Sequence, residues 1–489
     1  MHAEVAYLFR HALMREAAYA LHTPRDRARL HVLVVDVVEA TFTTAEVAGL
    51  AADLADHLQH AQQLRATTNL RELKALAERE LQLLLLAAGH CRQRYENAEA
   101  VALYDRACSH GAAEADMRIS ALLNAGQVLL YSGSPASARE RFEQAERLAA
   151  ADGLRARQGH ALRGIGIALA HTQGQPAAIP WLERAQAALR EAGDTKGEAL
   201  AQSNLAQLRR STTSMDDSLA QMRNARAMQR QAGDRKGEGP TLNNLGNLLR
   251  DMGRYAEAEA CFLEGIEIAR EHRDVQLEGS LTGNLSSLYR DWGRFEHAIE
   301  ANRRALEFAR ACGDARSMGV ALTNRALLLH TTKQDAASQQ AYAQALAQLR
   351  EAGDRMWQGI ALLNLGMLHT EHKRFADAEP PLQDALATFM TLRDRASEGV
   401  ARGLLAAVFD ATGRKDKAED SYRGSVALLE QSGHADQEAD FRGRYACWLR
   451  KNGHNGKADE HFERALAMYA SRNDRAGADK LRKRWDELA

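Results

Sequence analysis

Asparagine stands at positions 204, 244, 284, 324 and 364, five times at forty-residue steps, and Asn124 lies on the same grid two steps earlier. A side-chain amide carries a carbonyl acceptor and an NH2 donor, so one Asn can pair with both the N–H and the C=O of an extended chain. A column of such amides could hold a strand-like ligand by its main chain while neighbouring residues read its side chains. The same amides could instead bond sideways to adjacent copies and keep them in register. Six residues further along each copy runs a second column, Arg210, Arg250, Arg290 and His330. Guanidinium groups pair bidentately with carboxylates, which suggests an acidic or carboxylate-bearing ligand. Asp251 and Asp291 beside them offer the alternative of a solvated, self-paired face.

Little else in the chain has the makings of chemistry. His57 and His60, at i and i+3, lack a third ligand at metal spacing, and His11, His22 and His31 read as interfacial residues. No HExxH, nucleophile elbow or paired-carboxylate motif occurs, and no G-x-x-x-x-G-K-[ST] loop is present to cradle a phosphate. The expectation is a chain that is not an enzyme and needs no cofactor or metal. Its function would lie in what it holds.

The elements that would position the columns repeat with the same period, the mark of a stacked architecture. Each copy has two apolar stretches at helical spacing, split by a short polar hinge such as Met252-Gly253-Arg254 or Trp292-Gly293-Arg294. That reads as helix A, turn, helix B, turn. Two antiparallel helices approach closely only where their crossing lacks bulk. In nine successive copies the helix-A position of Gly246 and the helix-B positions of Ala258 and Gly265 hold only Gly, Ala or Ser. Between the two helix-B sites sits a large filler, from Phe142 through Phe262 to Phe462, with Asn302 as the exception. Gly193, Gly233, Gly313 and Gly353 follow helix-B runs, where a left-handed residue ends a helix. The next residues, Asp194, Asp234, Asp314 and Asp354, suit the N-cap of the following helix A. Pro180 and Pro380-Pro381 fall about a turn inside helix B, where a local kink is expected.

This small–large–small pattern resembles the tetratricopeptide repeat, whose signature is Leu-Gly on helix A and Ala-x-x-x-Phe-x-x-Ala on helix B. Strings such as GDRKGEGPTLNNLGNLLRDMGRYAEAEACF, from Gly233, look most like the forty-residue repeats of kinesin light chain and of the Leu-Gly-Asn family of G-protein modulators. The resemblance implies an all-α, right-handed α-solenoid of about ten helix pairs. It also places the Asn position on the inner, concave face, with Asn243, Asn247, Ser287 and Thr323 on the same face. In the resembling families this Asn contacts bound peptide, so the same role is expected of Asn204, Asn244, Asn284, Asn324 and Asn364. Similar repeats also serve as signalling-peptide receptors in some bacterial regulators. The expected partner is a protein or peptide.

Residues 1–65 leave the grid. Tyr7 to Tyr19, followed by the basic stretch Arg25 to His31, resembles the winged-helix segment that joins the nucleotide-binding core to the repeats in bacterial STAND-type ATPases. Those include ATPases fused to adenylate cyclases or protein kinases. The resemblance leaves two readings: either the ATPase half is missing, on another chain or lost from this one, so that the remnant would dock a separate nucleotide-binding protein and make this chain the sensor half of a signalling system, or the chain is a free-standing descendant. Without the phosphate loop, ATP hydrolysis does not carry over. The expected division is 1–65 as this winged-helix-like remnant, 70–110 as a degenerate first repeat, 115–472 as nine in-register repeats and 473–489 as a capping helix.

Composition sets the remaining bounds. A solenoid escapes the size limit of a single core because each repeat packs only on its neighbours, so 489 residues suit it. A formal net charge of −1 argues against a nucleic-acid or membrane-surface binder. Five cysteines without paired spacing, in a chain that opens on no signal peptide, read as reduced and buried, hence cytoplasmic. The longest apolar run, Leu81 to Ala88, is too short to span a bilayer.

Overall fold

The computed structural model describes residues 19–64, 70–209, 214–432, 434–471 and 474–488. Every regular element among them is an α-helix. Paired helices follow the forty-residue grid, as in Arg235–Asp251 with Tyr255–Glu271, Val275–Asp291 with Phe295–Ala311, and Ala315–Thr331 with Asp335–Glu351. The chain forms two compact units, one of residues 1–129 and 140–157, the other of residues 130–139 and 158–489.

Local chemistry explains why the helices start and stop where they do. Gly193, Gly233, Gly313 and Gly353 adopt φ of 70, 62, 58 and 64°. The Asp after each caps the next helix by accepting from the backbone N–H three residues on. Asp274, Asp394 and Asp474 cap in the same way, although Arg273 and Arg393 occupy the left-handed positions before the first two. The helices Gln175–Glu191 and Phe375–Leu392 run unbroken through Pro180 and through Pro380-Pro381, as Arg235–Asp251 does through Pro240.

Packing follows the small–large–small pattern. A Cβ placed on Gly246 would lie 2.5 Å from the Phe262 ring, and one on Gly126 would lie 2.7 Å from the Phe142 ring. Helix A is therefore hollowed where helix B inserts its filler. At two positions where Ser replaces Gly or Ala the hydroxyl bonds across the crossing, Ser286 to the Ala298 carbonyl at 2.8 Å and Ser338 to the Ala326 carbonyl at 2.7 Å, whereas the buried Ser425 hydroxyl has no partner. The exceptional filler Asn302 is buried and donates to the Ala321 carbonyl at 2.9 Å, so its amide is not stranded.

In the first unit, Pro24–Thr41 and Thr44–Leu64 pack with Leu70–Gln93 around Val35, Leu54, Leu58 and Leu84. No strand, and so no β-wing, occurs among its described residues, and the stretch 7–18 lies outside them. At the far end of the second unit, Arg475–Asp486 buries Leu481 and Trp485, with the Trp485 ring stacked on Phe462 at 4.1 Å. Its Lys and Arg residues stay exposed. Cys91, Cys261 and Cys312 are buried, whereas Cys108 and Cys447 are only half-buried, a departure from the sequence expectation. Burial raises the Cys261 thiol to about 11. No helix is long and apolar enough to cross a membrane among the described residues.

Candidate functional site

The concave side of the second unit can be identified from packing alone. Each A helix packs on its own B helix and on the preceding one, and successive A helices also pack directly on one another, from Thr195–Leu208 through to Arg475–Asp486. Successive B helices do not pack on one another to the same extent. The A helices therefore line the inside of the curve.

On the helix Arg235–Asp251 the core face is Leu242, Leu245, Leu248 and Leu249. Asn243, Asn244, Asn247 and Arg250 lie half-buried on the other face, at the spacing of one helical stripe. Asn204, Asn284 and Asn364 are half-buried on their own A helices, while Asn324 is buried at 7% exposure.

The amides fall into two kinds. Asn244 Nδ2 donates to Ser203 Oγ at 3.1 Å, and Asn284 Nδ2 donates to Asn243 Oδ1 at 2.8 Å. Both bonds link neighbouring repeats, and each uses one of the four hydrogen-bonding positions of its amide. Asn204, Asn247, Asn324 and Asn364 make no side-chain hydrogen bond among the described residues. The lateral partner Ser203 lies on the same grid as Asn243, one position before the Asn column, and no residue pattern marks it for that part.

The cationic column is largely paired. Arg250 reaches Asp251 at 3.2 Å and Asp291 at 3.6 Å, and Arg290 reaches Asp291 at 2.8 Å. His330 is buried and bonds Glu371 of the next repeat at 3.0 Å. Arg210 lies outside the described residues. Near this end of the column, Tyr342 is fully buried and its hydroxyl has no partner. Burial drives its pKa up, opposed by the positive field of Arg290. On the helix Arg355–Glu371, the buried His369 leaves Nδ1 unbonded, and burial lowers its pKa.

In the first unit the structure adds a third histidine to the pair seen in sequence. His31 Nδ1 lies 2.6 Å from His57 Nδ1, its ring stacks on His60 at 5.5 Å, and Tyr19 bonds its Nε2 at 2.9 Å. Burial, then the fields of His57 and His60, lower the pKa of His31. No group of three or more His, Cys, Asp or Glu is arranged to hold a metal among the described residues.

Comparison with known proteins adds the following. The tetratricopeptide-repeat family profile matches residues 197–271, 238–311 and 317–390. A Rap protein complexed with competence and sporulation factor superposes with a TM-score of 0.55 at 12% identity, covering 74% of this chain and 99% of that one. BtubC (BKLC) from P. vanneervenii gives 0.39 at 22% identity, over 45% of this chain and 93% of that one. A human IFIT1 dimer with m7Gppp-AAAA gives 0.47 at 14% identity, over 90% and 94%. The Rap alignment shows a shared helical-repeat fold. No curated protein matches the chain.

Proposed function

Tetratricopeptide repeats build this chain between residues 197 and 390, and from that premise we propose that it is a binding scaffold. Its concave face would take an extended peptide or an unstructured segment of a partner protein. One observation carries the reading: half-buried amides stand in a row on consecutive A helices, and the lateral bonds leave most of their donors and acceptors unused. A polar group left half-buried on a concave wall gains from a ligand that replaces its water with a hydrogen bond. The Rap protein with this fold is complexed with competence and sporulation factor, and a ligand held by the solenoid carries over from it as part of the proposal. Because Arg250 and Arg290 are already paired with Asp251 and Asp291, selection rests on main-chain contact more than on ligand charge.

The test is affinity capture with wild type, the Asn244/Asn284/Asn324→Ala variant and a chain lacking residues 1–65, followed by titration of the recovered segment as a synthetic peptide. A partner lost only by the triple variant supports the amide row. Equal retention by all three baits overturns it.

A second reading, docking of a separate nucleotide-binding protein on the first unit, has its own support. On the helix Pro24–Thr41, Leu30, Leu33, Val34 and Val37 form one stripe at 41, 54, 40 and 53% exposure. A partner lost only on deletion of residues 1–65 supports this reading, and retention of every partner by the truncated chain removes it.

A further inference from the structure

A repeat ribbon has two edges, one carrying the turns inside each helix pair and the other carrying the turns between pairs. In the second unit these two edges meet. Gly133, in the turn between Ala115–Tyr131 and Pro135–Ala151, faces Ala352, the C-cap of Asp335–Glu351. A Cβ on Gly133 would lie 2.8 Å from the Ala352 Cβ and 3.6 Å from the Arg316 Cβ. Gly174, one repeat later in the same kind of turn, abuts the Leu392 carbonyl oxygen at the end of Phe375–Leu392, where a Cβ would collide. Both glycines have positive φ, 81 and 86°, so turn geometry disfavours a side chain and the close approach excludes one.

These two rungs join residues more than five forty-residue periods apart and are themselves one period apart on both edges. They are successive points of one seam. Between them sits a charged cluster: Asp354, 1% exposed, accepts from Arg316 at 2.7 Å, and His171 Nδ1 stands 3.9 Å from the same oxygen. Ala352 itself is 2% exposed. Asn204 to Asn364, all on the concave A-helix face, lie in the stretch of chain that the second rung closes.

We propose that this seam shuts the concave face of the second unit into a closed channel, so that the ligand of the amide row is a single unfolded chain, a short peptide or a free terminus, and not a loop on a folded partner. The ligand assignment rests on the reading that the amide row binds a main chain; the channel itself does not. A folded protein would have to part the Gly133–Ala352 and Gly174–Leu392 rungs before its loop reached Asn244, whereas a linear chain needs only an open end or a brief opening of the seam.

Access can be measured without any ligand. Asn247→Cys puts a thiol on the amide face, and Glu271→Cys puts one on an exposed B helix as a control. Modification rates are compared for N-ethylmaleimide and for a maleimide carrying a large poly(ethylene glycol), and are read site by site by mass mapping. The small reagent is expected to modify the thiol of the Asn247→Cys variant within about threefold of the control rate, and the large one to be slowed by about tenfold or more. Adding Ala352→Arg, at a residue of ordinary helical conformation, wedges the seam and should restore the large reagent's rate about tenfold. Separately, Ser134→Cys with Arg316→Cys, which flank the Gly133 rung without filling it, should be joined within the monomer by a short bismaleimide, whether or not the Arg variant folds. Equal rates for the large reagent in the Asn247→Cys and control variants, or no cross-link, overturns the channel. Neither result touches the role of the amides, which fails only if the Asn variants keep full affinity for the captured peptide.

Discussion

Replacing Asn284 separates the two duties open to the amide row. Its Nδ2 donates to Asn243 Oδ1 at 2.8 Å, between neutral partners that are both half-buried. Such a bond contributes about 1 kcal/mol net, and the lower end applies here because water can replace it once one partner is gone. In a double-mutant cycle of Asn243→Ala and Asn284→Ala, the expected coupling in unfolding free energy is therefore about 0.5–1 kcal/mol. Each single variant should lose no more than about 1.5 kcal/mol. The lateral bond leaves Asn284 its carbonyl oxygen and its second N–H, enough for a ligand N–H and C=O. Losing one or two such contacts should weaken peptide binding by about 1–2 kcal/mol, or roughly five- to thirtyfold. Asn284→Asp sharpens the comparison. Asn243 can turn its amide and donate to the new carboxylate, so stability should hold while the donor offered to a ligand carbonyl is lost. Urea titration gives the stability terms and fluorescence anisotropy with the captured peptide gives the affinities. Zero coupling would refute the lateral bond. Losses above about 3 kcal/mol in stability with unchanged affinity would assign the amides to register alone.

Three further outcomes are expected. His171 has its pKa lowered from 6.5 to about 4, first by burial and then by Arg316, against the pull of Asp354. The unfolded chain therefore binds the extra proton between these values, and stability falls as pH drops from about 6.5 to about 4. The loss is expected to exceed about 1 kcal/mol, roughly the worth of one pH unit, and His171→Gln should remove it, as read from chemical denaturation across that range. Arg273 and Lys333 hold left-handed φ of 53 and 62° at exposed turns. Changing each to Gly should stabilise by about 0.5–1 kcal/mol, the relief of αL strain less the added freedom of the unfolded chain; a lower urea midpoint would count against this. Gly246→Val drives a branched side chain toward the Phe262 ring, 2.5 Å from the nearest Cβ position, and should cost about 3 kcal/mol in thermal and urea unfolding. A change under about 0.5 kcal/mol would mean that the A–B crossing is looser than its geometry indicates.

Residue order alone settles whatever one repeat and its neighbour decide. The period, the small residues opposite Phe142 and Phe262, the left-handed glycines and the Asp caps all express contacts within about forty residues, and each leaves a residue type at a set spacing. The Asn column was legible for the same reason, and so was the alternative that its amides bond sideways. Which of them do so depended on what the neighbouring helix presents. Asn244 meets Ser203 and Asn284 meets Asn243. One position before the column, the repeat preceding Asn324 holds Gly283, with no side chain to offer, and the repeat preceding Asn364 holds Thr323, whose hydroxyl donates to the Gly319 carbonyl instead. The third histidine beside His57 and His60 was hidden because His31 lies on another helix with no grid to relate the two. The seam is the extreme case. Gly133 meets Ala352 only because small rotations between repeats add up over more than five of them, and no local pattern records that sum. That the two edges of the ribbon close on each other is a property of the folded chain alone.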